Sequence, residues 1–179
     1  MKGVVFTEYV EFIEETFGFD VVDDMMEKAG VSGVYTQAGN YEFDELFKMV
    51  QSLSSIVDKP LGSLVEAFAK HLFTKLVTIY PKPTQVYNNA FDFISNIDHV
   101  VHPEVKKLYP DAELPSFETL SSSENQLVMK YVSKKPLMDL AKGLMEACGE
   151  HYNEPLTVTY SLAPKKNEYF IAEFTITKK

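Results

Sequence analysis

At Pro110 the chain changes its hydrophobic period, and that change limits the fold more than any single residue. Ahead of it, apolar side chains recur at the spacing of one helix face; beyond it, several stretches alternate as strands do. GVVFTEYVEFIEETF sets Val5, Tyr9, Phe12, Ile13 and Phe17 near helical spacing, and Gly18 ends the run. DVVDDMMEKA predicts a second helix, with Asp20 as its N-cap and Gly30 just past its end. VSGVYTQAGNY reads as a loop from its Gly, Ser and Asn content. FDELFKMVQSLSSIV is a third helix. The stretch after Pro60 is a fourth, with that proline at a tolerated first-turn position and Pro81 as the stop. From Pro83 to Pro110 the pattern suggests two helical pieces, interrupted somewhere between Asp98 and Pro103.

LPSFETLSSSENQLVMKYVSKK then reads as two strands joined at a Ser/Glu/Asn turn. PLMDLAKGLMEACGEHYN returns to a helix, with Pro136 near its start. PLTVTYSLAPKKNEYFIAEFTITKK is a hairpin whose strand formers include Thr157, Tyr160, Phe170, Ile171, Phe174 and Ile176. Helices first and an antiparallel sheet last make an α+β chain: a helical N-terminal lobe packed on a C-terminal lobe with a roughly four-stranded sheet. No internal repeat and no low-complexity segment interrupts it.

Composition narrows the function. With 45% hydrophobic and 13% aromatic residues in 179, a full core is within reach and wholesale disorder is not expected. A net charge of −9 argues against nucleic acid, because neutralising phosphates needs a basic face. The single Cys148 excludes an intrachain disulfide and a cysteine-based zinc site. No run is apolar enough for a signal peptide or a membrane span, so a cytoplasmic protein is expected.

Few residues invite chemistry. In KYVSKK, strand alternation would aim Tyr131, Ser133 and Lys135 to one side: a phenol, a hydroxyl and an ammonium, suited to an anion such as a carboxylate. An ordinary solvated strand face has the same spacing. His102 on an apolar helix is either a satisfied core histidine or a ligand. His99, three residues earlier, would complete a His-x-x-His zinc pair, but two further ligands are not evident. His71 and His151 have no partner in the sequence, and Cys148 reads as a small buried hydrophobe. No Gly-x-Ser-x-Gly, phosphate loop or Gly-x-Gly-x-x-Gly occurs, so an enzyme is not expected.

Taken together, three features carry a resemblance: the opening MKG leading straight into an amphipathic helix, His102 followed by Leu114-Pro115, and YVSKK followed by Asp139, Gly143-Leu144 and Glu146. The chain resembles the H-NOX (heme-nitric oxide/oxygen binding) domains, bacterial relatives of the soluble guanylate cyclase heme domain, over essentially its whole length. The resemblance implies one domain over 1–179, with a helical lobe over about 1–60 and a heme-binding lobe over about 61–179. It implies heme b (iron protoporphyrin IX), with His102 as the proximal iron ligand and Pro115 pressing on the porphyrin. Tyr131, Ser133 and Lys135 would hold the propionates. The family motif ends in arginine, and lysine at 135 offers a point charge without the planar fork.

Val5, Tyr9, Leu140 and Leu144 match distal positions. Family members that hold dioxygen stably use a distal tyrosine where this chain has Leu140, which donates no hydrogen bond. The resemblance therefore implies a nitric oxide sensor that also takes carbon monoxide. Nitric oxide would break the iron–His102 bond and shift the lobes. A partner would read the shift: a histidine kinase or a cyclic-di-GMP enzyme. A dioxygen-binding sensor that relies on the Tyr9 hydroxyl stays open, as does a module for a hydrophobic ligand without iron. An enzyme using Cys148 or the histidine pair is the remaining class.

Overall fold

The structure is a computed structural model and describes all 179 residues. α1 (Gly3–Phe17) and α2 (Phe19–Ala29) are separated by Gly18 alone, whose φ of 92° turns the chain where an L side chain would be strained. Gly18, not Asp20, is therefore the N-cap of α2. Asp20 falls inside the first turn, where its charge complements the helix's positive end. Gly30, at φ 64°, closes α2 with its N–H donated to the carbonyls of Met26 and Glu27. After a loop come α3 (Phe43–Val57) and α4 (Leu61–Ile79), the latter with Pro60 as its N-cap.

Three helical pieces follow where two were expected: α5 (Lys82–Gln85), α6 (Ala90–Ser95) and α7 (Ile97–Leu108). The interruption falls at Asn96, outside the expected stretch. Asn96 donates from its side chain to the Asp92 carbonyl, and its own carbonyl accepts from the N–H groups of His99 and Val100. One residue thus ends α6 and starts α7. Pro103 lies inside α7, which continues through it. The ring forfeits one backbone donor and crowds the His99 carbonyl, while its φ stays helical.

β1 (Ser116–Ser122), β2 (Gln126–Ser133), α8 (Met138–His151), β3 (Leu156–Lys166) and β4 (Tyr169–Lys178) complete the chain. The sheet is antiparallel throughout, in the order β1-β2-β4-β3. The β1–β2 turn forms at Ser123, Glu124 and Asn125, where the Ser123 hydroxyl accepts the Gln126 N–H. Strand alternation lays Leu127, Met129 and Tyr131 of β2 opposite Ile176, Phe174 and Ala172 of β4 on one buried face.

Two apolar cores result. The sheet core joins that face to Met138, Ala141, Met145 and Cys148 of α8 and to Phe91, Phe93 and Ile94 of α6. The helical core joins α1, α2 and α3 to Leu64, Phe68 and Leu72 of α4. The division runs lengthwise through α4, because Phe73 packs against the sheet core. Likewise Leu140 of α8 packs against the helical core while its neighbours Met138 and Ala141 serve the other. α4 and α8 lie against each other so closely that a Cβ built at Gly143 would stand 2.6 Å from the Ala69 Cβ.

Candidate functional site

α7 holds His102 at 16% side-chain exposure, with Asp98 one turn earlier on the same side. Asp98 Oδ1 is 2.8 Å from His102 Nδ1, a contact that closes no regular hydrogen bond. Its Oδ2 accepts the Phe117 N–H at 2.9 Å. Burial holds the His102 pKa below the ordinary imidazole value and outweighs the opposing pull of Asp98. A neutral ring with Nδ1 facing a carboxylate leaves Nε2 as the lone-pair donor. The histidine ring also lies 6.2 Å from that of Phe117, which in turn meets Tyr131 edge-on at 5.3 Å. His102 and Tyr131 therefore share one neighbour, on the sheet core.

Tyr131 and Ser133 both point into the buried face of β2. That disposes of the solvated strand face, but the strand ends at Ser133. Lys135 lies beyond it, in a bend where the Ser133 hydroxyl accepts its N–H at 3.1 Å. The alternation that aligned three residues therefore holds for two, and Lys135 meets them through its backbone while its ammonium turns to Glu113. The Tyr131 hydroxyl donates to the Lys135 carbonyl at a long 3.4 Å. Burial raises the Tyr131 pKa, so at neutral pH it remains a donor. The Lys135 ammonium is 2.9 Å from Glu113, and that partner, first among its causes, holds the Glu113 pKa low. Pro115, between α7 and β1, is half-buried.

The remaining candidates, Leu144 apart, belong to the other core. Tyr9 is fully buried in it, edge-on to Phe68 at 5.0 Å, and Val5 and Leu140 pack on it. Leu144, one helical turn beyond Leu140, is half-buried and part of neither core. The Tyr9 hydroxyl has no hydrogen-bond partner, and burial raises its pKa well above that of a free phenol. It is a protonated donor with nothing to donate to.

A histidine lone pair and two hydroxyls beside the sheet core, an ammonium just past the end of β2, and an apolar wall with one unsatisfied donor on the helical core suit a flat apolar group with an acidic edge. Heme has that form, and these residues fit it. The sequence reading missed Asp98, Phe117 and Glu113. Asp98 carried a signal, four residues ahead of His102; the other two are neighbours only through the fold.

Zinc fares worse. His99 is exposed, and no group of three or more His, Cys, Asp or Glu residues is placed to hold a metal ion. His71 lies 3.6 Å from both Glu8 and Glu15, and His151 packs edge-on against Tyr152. Burial raises the Cys148 pKa, which deprives the thiol of nucleophilic character. No helix is long and apolar enough to cross a membrane.

A family described as Haem-NO-binding matches residues 2–160. Among solved structures, the unliganded Fe(II) H-NOX protein from K. algicida is 32% identical, with a TM-score of 0.91 over 100% of this chain and 97% of that one. An H-NOX protein from S. oneidensis in the Fe(II)NO ligation state is 24% identical, with a TM-score of 0.88 over 100% and 99%. An oxygen-binding H-NOX domain related to soluble guanylate cyclases, in its oxygen complex, is 20% identical, with a TM-score of 0.82 over 100% and 95%. No curated protein matches.

Proposed function

The chain belongs to the Haem-NO-binding (H-NOX) family of heme gas sensors, and we propose that it senses nitric oxide at ferrous heme b held between its two cores. His102 is the proximal ligand, through Nε2. Tyr131, Ser133 and Lys135 hold the propionates, and Pro115 packs on the proximal side. Val5, Leu140 and Leu144 form the distal wall. The bound group supplies a ferrous iron with one face open to a diatomic gas.

One observation carries this reading. His102 and Tyr131 both pack on Phe117, which lies against the sheet core, while Val5, Tyr9 and Leu140 belong to the helical core. A molecule touching both sets must lie between the cores, where a change at His102 alters their fit. Leu140 makes nitric oxide the preferred gas. Its side chain offers no donor to stabilise a polar iron–dioxygen unit, and nitric oxide needs none. Carbon monoxide binds on the same terms. His102 acts as the tether that nitric oxide loosens, so α7 is free to shift against β1. A separate protein, a histidine kinase or a cyclic-di-GMP enzyme, reads that shift.

The unsatisfied Tyr9 hydroxyl favours a second reading, a dioxygen sensor. A buried donor without a partner costs about 1–3 kcal/mol, which a polar ligand would recover. Absorption spectra of the reduced protein under argon, in air and with nitric oxide decide between the two. A heme band that ignores air and moves with nitric oxide to the five-coordinate form supports the first reading. A stable oxy spectrum in air, lost in Tyr9→Phe, supports the second. No heme band, even after reconstitution, refutes both.

A further inference from the structure

Asp98 uses each carboxylate oxygen on a different element. Oδ1 is 2.8 Å from His102 Nδ1 on its own helix, and Oδ2 accepts the Phe117 N–H at 2.9 Å from the sheet. Phe117 is paired in register with Tyr131 across β1 and β2. A chain of direct contacts therefore runs from the His102 ring through one carboxylate to the strand pair that carries Tyr131 and Ser133. One oxygen accepts a backbone N–H and the other faces a ring nitrogen, and only a carboxylate offers an acceptor to each.

We propose that Asp98 is the positioning residue for His102: it keeps the proton on Nδ1, leaves Nε2 bare for iron, and ties the ligand's helix to β1. The proposal rests on the reading of His102 as the heme ligand. The tautomer follows from the charge that faces Nδ1 at 2.8 Å. With a carboxylate opposite Nδ1 the ring proton belongs there, and the lone pair belongs on Nε2. The mechanical part follows from the second oxygen. Any movement of His102 along α7 pulls on the Phe117 N–H and so on β1.

Asp98→Asn isolates the effect because it keeps the shape and removes one acceptor. Its amide serves the two N–H groups in only one of two ways. If its oxygen accepts from Phe117, its NH2 faces Nδ1 and drives the ring proton to Nε2, the nitrogen that must bind iron. If its oxygen faces Nδ1, its NH2 opposes the Phe117 N–H. Each outcome breaks one half of the bridge.

The test measures two quantities in the full chain. One is the iron–histidine stretching band of the ferrous, heme-loaded protein by resonance Raman. The other is amide exchange at Phe117 by NMR in the heme-free protein, which needs no iron. Asp98→Asn is expected to weaken or lower the band with Phe117 still protected, or to keep the band with Phe117 exchanging roughly tenfold faster or more. Asp98→Ala is expected to do both. An Asp98→Asn protein that keeps both the wild-type band and wild-type Phe117 protection overturns the inference while leaving the heme reading intact. A wild-type chain that takes up no heme sinks that reading, and this inference with it.

Discussion

Gly143→Ala tests the seam between α4 and α8 directly. A Cβ at position 143 would stand 2.6 Å from the Ala69 Cβ, 2.8 Å from the Glu66 carbonyl oxygen and 3.0 Å from the Glu66 Cα. Carbon atoms rest at about 3.5–4.0 Å, so the helices must part by roughly 1 Å or the new methyl must deform them. None of the three atoms is the tip of a flexible side chain, so local repacking offers no escape. Overpacking of this kind costs about 1–3 kcal/mol, and the rigid backbone contacts put this site near the upper value. Alanine recovers about 1 kcal/mol of helix propensity over glycine. The net expectation is about 2 kcal/mol of lost stability. For a chain of this size that lowers Tm by about 4–8 °C.

Urea and thermal unfolding measure the loss, and Gly62→Ala is the control. It adds the same methyl group to α4, where the nearest atoms are the Asp139 carboxylate at 3.4 and 3.7 Å. That contact is ordinary, so stability there is unchanged or rises by up to about 1 kcal/mol. Adding Ala69→Gly to Gly143→Ala removes the shortest contact but leaves the two to the Glu66 backbone and itself costs about 1 kcal/mol of helix propensity, so the double variant gains little over the single one. A Gly143→Ala protein as stable as wild type would refute the close approach of the two helices.

Two other substitutions give separate readings. Glu113→Gln frees the Lys135 ammonium from its 2.9 Å partner. The pair is solvent-exposed, so stability should change by about 0.5 kcal/mol or less, while heme transfer to an acceptor protein should slow. Faster transfer would contradict the assignment of Lys135 to a propionate. Glu154 accepts the Ala90 N–H at the start of α6 and pairs with Lys178 at 2.9 Å; the Ala90 bond is the larger cause of its lowered pKa. A carboxylate with a lowered folded-state pKa stabilises above its unfolded pKa and loses that contribution as pH falls through the folded value. Glu154→Gln is therefore expected to cost about 1 kcal/mol or less near pH 6. The gap to wild type should close in the acid range below the ordinary glutamate pKa. A gap that does not vary with pH would remove the ionic part of the argument.

The helices were legible because their signals are local. Apolar spacing places α1, α3 and α8, and Gly30 ends α2 as its αL conformation requires. The errors came where one local rule met a stronger one. Asp20 has the chemistry of an N-cap, yet Gly18 takes the position because its positive φ lets two helices abut. Pro103 looks like a break, yet Asn96 has a side chain and a carbonyl that serve both flanking helices, so the chain turns there. At the site, His102 and the Tyr131–Ser133 pair stood out by spacing. The alternation that aligned Lys135 with them does not reach it, since the strand stops at Ser133 and the Lys135 ammonium pairs with Glu113. Glu113 could not be foreseen, because an ion pair that spans a strand hairpin leaves no periodic trace.

With heme between the two cores, as proposed, the seam bears on function as well as on stability. α4 gives Leu64, Phe68 and Leu72 to one core and Phe73 to the other, and α8 is divided in the same way between Leu140 and its neighbours. Both helices therefore belong to each side of the proposed heme position. The α4–α8 contact is close at Gly143, which lies between Leu140 and Leu144 on α8. A side chain at 143 would part the helices and push back the distal wall at once. A glycine there keeps the helices close. The same residue thus sets how closely α4 and α8 approach beside the proposed distal wall.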